Sequence, residues 1–180
     1  AQTLAVNTAG TTTFNGVVGG TTPLTSLTTN AGGSTVINTT AITTSGAQTY
    51  NDDVTLGLGA GGTVALTGAT VTTNGALSGG ANNNNLTITG NAVLGNAAAP
   101  TTSRVNGVGN LSVSGTTTVN TDQINTTGTQ GYTGAMTLGV GTTLASSGAG
   151  AAGNITMGGT VNGAQTLAVN TAGTTTFNGV

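Results

Sequence analysis

The chain has 180 residues, a formal charge of −2, and no His, Cys, Trp, Lys or Glu. Acid–base and nucleophilic catalysis need a group that titrates near neutral pH beside a partner, and three Asp offer little for either. A zinc or iron site built from His and Cys is impossible. We therefore expect no enzyme, no cofactor and no metal site. The ionisable side chains are Asp52, Asp53, Asp122 and Arg104, together with Tyr50 and Tyr132, which stay neutral near pH 7.

The same composition limits the partners. One Arg cannot neutralise the several phosphates on which nucleic-acid affinity depends, and four aromatic rings offer few stacking platforms. No apolar run is long enough to cross a bilayer. We expect no nucleic-acid partner and no membrane insertion in this fragment.

Aliphatic residues alternate with polar ones in short runs along the chain. Period-two alternation predicts strands with one buried face, and the Asn-Gly and Gly-Gly pairs between runs predict turns. No 3.6-residue stripe persists, so helix content should be near zero. Segment 95–104 is the least strand-like and is predicted to be a loop. The runs, in chain order, are Leu4 and Val6; Val54, Leu56 and Leu58; Val64 and Leu66; Leu86 and Ile88; Leu111 and Val113; Met136 and Leu138; Ile155 and Met157; and Leu167 and Val169.

Residues 1–17 and 164–180 have the same sequence, AQTLAVNTAGTTTFNGV. An identical stretch of this length indicates an array or filament, in which one unit is followed by a copy of itself. We interpret residues 1–163 as one repeat unit and residues 164–180 as the start of the next. The expected partner is the chain itself, through end-to-end continuation. Phe14 and Phe177 should then occupy the same core position in successive units.

Short, numerous strands fit a sandwich, a barrel or a β-solenoid, and three features favour the solenoid. The phrase GAQTY at residues 46–50 recurs in variant form at 128–132 and 163–167, with spacings that suggest coils of about 20 residues. Stacked coils would place like charges about 4.8 Å apart, where they repel by roughly 1 kcal/mol or more, whereas Thr and Asn stack freely. The sequence predicts a right-handed parallel β-helix (β-solenoid) with seven or eight rungs per 163-residue unit, about 38 Å long.

The segments FNGVVGGTTPLTSLTTNAGG (14–33) and GAQTYND (46–52) carry a resemblance to a known family. This style of repeat resembles the secreted filamentous haemagglutinin-like and giant β-strand-repeat exoproteins of Gram-negative bacteria. The resemblance implies a right-handed parallel β-helix, export through an outer-membrane partner, and use in adhesion, biofilm matrix or surface structure. It transfers no binding residue to this chain.

Four features are candidate sites, each with a structural alternative. The cluster Asn51–Asp53 could offer oxygens to Ca²⁺, but a solvated turn is favoured. Residues 82–85, four consecutive Asn, are interpreted as a turn before a strand rather than as an amide ladder. The Thr triplets 11–13 and 116–118 are similar to the Thr arrays of ice-binding solenoids, which need T-x-T at one place on every rung. The irregular rung lengths argue against an ice-binding surface. Tyr50 and Tyr132 are expected at the edge of the core, with the hydroxyl outward.

The leading functional hypothesis is a structural extracellular or cell-surface filament. It would consist of 163-residue units joined in tandem or stacked end to end, and would serve adhesion, biofilm matrix or cell-surface covering. Two alternatives remain open: an adhesin repeat that binds surface glycans through exposed Thr, Asn and Tyr, and a surface-layer protein. A pectinase-like β-helix enzyme would need clustered carboxylates beside basic residues.

Overall fold

The computed structural model describes residues 2–179, of which about half are in strands. The strands are β1 (Thr3–Val6), β2 (Thr11–Phe14), β3 (Ser26–Thr29), β4 (Ser34–Ile37), β5 (Ala41–Thr43), β6 (Ala47–Tyr50), β7 (Asp53–Leu56), β8 (Thr63–Thr73), β9 (Leu77–Ser78), β10 (Asn85–Leu94), β11 (Val105–Val108), β12 (Leu111–Val113), β13 (Thr117–Val119), β14 (Gln123–Thr126), β15 (Gln130–Tyr132), β16 (Met136–Leu138), β17 (Thr142–Ala149), β18 (Ile155–Met157), β19 (Val161–Asn162), β20 (Leu167–Ala172) and β21 (Thr175–Phe177). A short 3₁₀ helix, Gly150–Gly153, follows β17. The near absence of helix agrees with the sequence.

The chain winds as a β-solenoid of about eight coils, as the sequence predicts. Every coil after the first contributes strands to three faces, and the pairings between coils are parallel. Face 1 contains β1, β3, β6, residues 70–73 of β8, residues 91–94 of β10, β13, β16 and β19. Face 2 contains β2, β4, β7, β9, β11, β14, β17 and β20. Face 3 contains β5, residues 63–67 of β8, residues 85–89 of β10, β12, β15, β18 and β21. Faces 1 and 3 form one sheet because β8 and β10 run round their shared corner.

The core is a column of aliphatic side chains from all three faces. The alternating residues point inward as the sequence predicts: Leu86 and Ile88 are buried in β10, and Leu111 and Val113 are buried in the coil above. Thr also occupies inward positions, for example Thr35 and Thr73, which the aliphatic pattern does not reveal. The predicted loop at 95–104 is confirmed, since it connects β10 to β11 without strand structure.

A column of glycines forms the corner between faces 3 and 1. A Cβ placed on Gly90 would overlap the carbonyl oxygen of Gly68, and one on Gly115 would lie 2.5 Å from that of Gly90. Backbone therefore stacks on backbone where the chain turns, and a side chain would force the coils apart. The column comprises Gly46, Gly68, Gly90, Gly115, Gly134, Gly159 and Gly179.

The second copy of the repeated segment does not occupy the position of the first. In the first copy, β1 lies on face 1 and β2 on face 2; in the second, β20 lies on face 2 and β21 on face 3. The prediction that Phe14 and Phe177 share one core position is therefore wrong. Phe14 is 8% exposed on face 2, whereas Phe177 is 57% exposed on face 3. Residues 1 and 180 of the two copies lie outside the described residues.

The cause is that the repeat unit, residues 1–163, does not make a whole number of coils. Following the strand register along face 1, Leu4 leads after seven coils to Val161, which precedes Leu167 by one short corner. The second copy is thus displaced from the first by seven coils plus one face. At about 4.8 Å per coil this corresponds to an axial rise of roughly 35 Å, shorter than the rise of about 38 Å expected for eight rungs.

Replacing a corner glycine should destabilise the solenoid. Gly90 has φ of +126° and no room for a Cβ, so Gly90→Ala should lower the free energy of unfolding by at least about 2 kcal/mol. Gly59 has no atom within 4 Å of its Cβ position, and Gly59→Ala should change stability by less than about 0.5 kcal/mol. Urea denaturation measures both. Equal stability of the two variants would contradict the corner stacking.

Candidate functional site

Face 1 presents columns of neutral polar side chains to solvent. Thr28, Thr49 and Thr72 are direct neighbours in successive coils, and Thr118 neighbours Thr137 in the same column. This alignment is kept although the coils differ in length. The coil that leads from Thr117 to its partner Met136 is shorter than the one that leads from Met136 to its partner Val161. Irregular coil length is therefore no obstacle to a regular surface.

The ice-binding pattern is nevertheless incomplete on this face. Val93 interrupts the Thr column, and Ala47 and Asn91 interrupt the neighbouring outward column. Among the eight described coils, T-x-T occupies both columns at Thr70 and Thr72 and again at Thr116 and Thr118, but not in the other six. The middle Thr of each predicted triplet, Thr12 and Thr117, points inward instead.

Side-chain amides link successive coils at the start of face 3. The Asn85 Oδ1 accepts from the backbone N–H of Asn110 at 2.7 Å, and the Asn110 Oδ1 accepts from the N–H of Thr129 at 2.8 Å. The Asn154 Oδ1 accepts in the same way from Thr174. Each amide thus completes the hydrogen bonding of the next coil without placing a charge on it.

The run of Asn at 82–85 contains the predicted turn, which ends where Asn85 begins β10, and it also contributes contacts between coils. Asn83 has φ of 48°, the left-handed conformation that Asn tolerates. The Asn82 and Asn84 amides donate to the carbonyl oxygens of Leu58 and Gly59 in the preceding coil.

Tyr50 and Tyr132 are buried, and the expectation of outward hydroxyls is wrong. The Tyr50 hydroxyl donates to the Gln48 Oε1 at 3.0 Å, and the Tyr132 hydroxyl donates to the Gln130 Oε1 at 2.9 Å. Desolvation raises the pKa of both phenols far above the ordinary value, so both stay neutral. Period two places Gln and Tyr of a Q-x-Y phrase on one side of a strand, a signal that could have located these pairs.

The same pair occurs on two faces of the solenoid. Gln48 and Tyr50 lie in β6 on face 1, whereas Gln130 and Tyr132 lie in β15 on face 3. In each case the Gln Nε2 donates to backbone carbonyls, those of Ile42 and Thr67 for Gln48. On both faces, backbone carbonyls inside the column therefore accept hydrogen bonds from the buried Gln side chain.

The acidic cluster is not simply a solvated turn. Asp52 is 5% exposed, and its Oδ1 accepts hydrogen bonds from the hydroxyls of Thr29 and Thr35, both at 2.9 Å. Asp53 is exposed and accepts from the backbone N–H of Ala76. The Asn51 Oδ1 accepts a hydrogen bond from the Nδ2 of Asn74 in the next coil. The cluster therefore joins coils, and its two carboxylates have separate roles.

The one basic residue forms an ion pair. The Arg104 Nε donates to the Asp122 Oδ1 at 2.7 Å, and its Nη2 donates to the Oδ2 at 2.5 Å. The hydrogen bond from Arg104 lowers the pKa of the Asp122 carboxyl and raises that of the guanidinium. Arg104 directly precedes β11 and Asp122 directly precedes β14 in the next coil, so only the stacking of the coils brings them together and nothing local in the sequence links them. The pair leaves no net charge at the base of the long loop at 95–104.

An open groove of about 370 Å³ lies on face 2 over the last four described coils. Its floor follows the outward column Asn125, Ala145, Asn170, in which the small Ala145 leaves a gap between two amides. The Asn125 Oδ1 is buried and has no hydrogen-bond partner among the described residues. The lining residues also include Gly107, Ser146 and Ser147. Uncharged amides and hydroxyls of this kind suit a neutral polyhydroxylated ligand.

Two structural features, a cluster of metal-ligating side chains and a long apolar helix, are missing from residues 2–179. No three acidic, His or Cys side chains gather there into a possible metal site. Within the same range, no helix has the length and apolar character to cross a membrane. Comparisons with known protein families, with curated proteins and with solved structures found no match to this chain.

The buried Tyr–Gln pairs should contribute equally to stability on their two faces. Tyr50→Phe removes the donor to the Gln48 Oε1, and Tyr132→Phe does the same for Gln130, which leaves a buried acceptor unpaired. Each variant should lose about 1–3 kcal/mol of unfolding free energy, measured by urea denaturation. No loss in either variant would contradict the buried hydrogen bonds.

Proposed function

We propose that this chain is the repeat of an extracellular or cell-surface β-solenoid filament, used for adhesion, biofilm matrix or surface covering. The observation that carries the proposal is the recurrence of residues 1–17 at 164–180 on a β-solenoid, a fold in which each coil stacks on the one before it.

Composition and surface chemistry support the same proposal. The outward columns of face 1 consist mainly of Thr, Ser, Asn and Ala, and the one Arg is neutralised by Asp122. A column of this kind stacks over long distances without charge repulsion. The resemblance to filamentous haemagglutinin-like exoproteins points to the same class of protein, to a bacterial origin and to secretion.

Electron microscopy of the native material tests the filament directly. We expect thin fibres with an axial repeat of about 35 Å, the rise of seven coils plus one face. A denaturing gel separates the two forms of continuation: a band far above 16.9 kDa indicates covalent tandem repeats, and a band near that mass indicates stacked subunits. Globular particles without any fibre would reject the proposal.

The groove on face 2 favours a second candidate function, glycan binding by an adhesin repeat. Its small Ala145 leaves room for a ligand beside the exposed Asn170 amide, which offers both a donor and an acceptor to sugar hydroxyls. Tyr50 and Tyr132 cannot take part, because both are buried.

A substitution that fills the groove tests this candidate. Ala145→Leu should abolish binding of the chain to neutral glycans on an array, because the larger side chain occupies the groove floor. Ala65→Leu adds the same atoms at an outward position on face 3 and should leave binding intact. Absence of glycan binding in the unmodified chain, or equal binding by both variants, would exclude the groove as the site.

A further inference from the structure

Asp52 lies at the corner between faces 1 and 2, and one of its two carboxylate oxygens has no partner. Its side chain is directed into the solenoid, and the residue is 5% exposed. The Oδ1 accepts hydrogen bonds from the Thr29 and Thr35 hydroxyls of the preceding coil. The Oδ2 is buried and has no hydrogen-bond partner within residues 2–179. The described side chains therefore stabilise only half of this buried carboxylate.

A hydroxyl in the following coil is unpaired at the same corner. Tyr50, two residues before Asp52, has Thr29 as its neighbour in the coil before and Thr73 as its neighbour in the coil after. Thr73 is 1% exposed, and its Oγ1 has no hydrogen-bond partner in the described part of the chain. Buried polar groups normally have partners, so two orphaned oxygens at one corner indicate a ligand.

No basic side chain is available to balance the charge of Asp52. Arg104 is the single Lys or Arg of the sequence, and it is paired with Asp122. Burying a carboxylate without a counter-charge is strongly unfavourable, and hydrogen bonds from two neutral hydroxyls offset only part of that free energy. A water molecule would supply donors but no charge. The ligand that suits this corner is therefore a cation.

We propose that Asp52 and Thr73 form a buried site for one monovalent metal cation of the size of sodium. The Asp52 Oδ2 is the charged ligand and the Thr73 hydroxyl is a neutral ligand. One carboxylate matches one positive charge, whereas Ca²⁺ takes many oxygens and often several carboxylates. The second carboxylate of the acidic cluster cannot join, because Asp53 is exposed and accepts from the backbone N–H of Ala76.

The cation would join three successive coils. Thr29 and Thr35 belong to the coil before Asp52 and Thr73 to the coil after it, and described coils cover this group of three on both sides. The site is therefore internal to the solenoid and independent of the proposed filament. A ligand that binds only the folded chain stabilises it, so stability should depend on the concentration of the cation.

Urea denaturation in sodium chloride and in choline chloride of equal ionic strength tests the site. Choline is too large to reach a buried carboxylate, so it controls for general salt effects. Once sodium exceeds its dissociation constant, each tenfold rise in its concentration should raise the folding equilibrium constant about tenfold, and choline should not. Equal stability in the two salts would overturn the proposal. Stronger stabilisation by calcium chloride than by sodium chloride would overturn the assignment to a monovalent cation.

A matched pair of substitutions in the acidic cluster locates the site. Asp52→Asn keeps an oxygen that can accept from Thr29 and Thr35 but removes the charge, so the stability of this variant should be the same in sodium and in choline. Asp53→Asn removes the charge of the exposed neighbour and should keep the full sodium dependence. Sodium dependence that persists in Asp52→Asn, or is lost equally in both variants, would contradict the site.

A second pair of variants tests the neutral ligand and does not alter the carboxylate. Thr73→Val removes a hydroxyl that has no partner in the described structure, so the variant should be at least as stable as the unmodified chain in choline chloride. In sodium chloride it should lose most of the gain in stability. Thr72→Val makes the same change on the outward side of the strand and should keep that gain. Full sodium dependence in Thr73→Val would overturn the site as proposed.

Discussion

The structure depends on one constraint: each side chain lies about 4.8 Å from its equivalents in the coils above and below. At that distance a column of like charges repels, a column of bulky residues at a corner clashes, and a column of inward aliphatics packs. The outward columns of Thr and Asn, the corner column of glycines and the aliphatic core are the three solutions to this constraint. The scarcity of charge is a consequence of stacking, and Arg104, an exception, is neutralised by Asp122.

Because the requirements are the same on every face, a strand that fits one face fits the others. The Gln–Tyr pair demonstrates this, since it forms the same buried hydrogen bond in β6 on face 1 and in β15 on face 3. The repeated segment demonstrates it again, with Leu4 and Leu167 pointing inward from different faces. The repeat of the sequence is therefore independent of the repeat of the coil, and each sequence unit advances by seven coils and one face.

The chain uses buried polar side chains to join successive coils. Its buried carboxylate, that of Asp52, accepts from two Thr hydroxyls and joins coils. The groove above Ala145 is lined by uncharged amides, hydroxyls and small residues.

The fold class could be predicted from alternation such as that of Leu86 and Ile88 and from the scarcity of charge, because both are local consequences of strand stacking. The loop at 95–104 and the near absence of helix could be predicted as well. The depth of Tyr50 and Tyr132, the burial of one carboxylate of the acidic cluster, and the placement of Phe14 and Phe177 on different faces emerge only when the chain is folded. The reason is physical: the position of a residue around the column depends on the lengths of all the preceding corners, and a small difference in their sum moves a strand to another face.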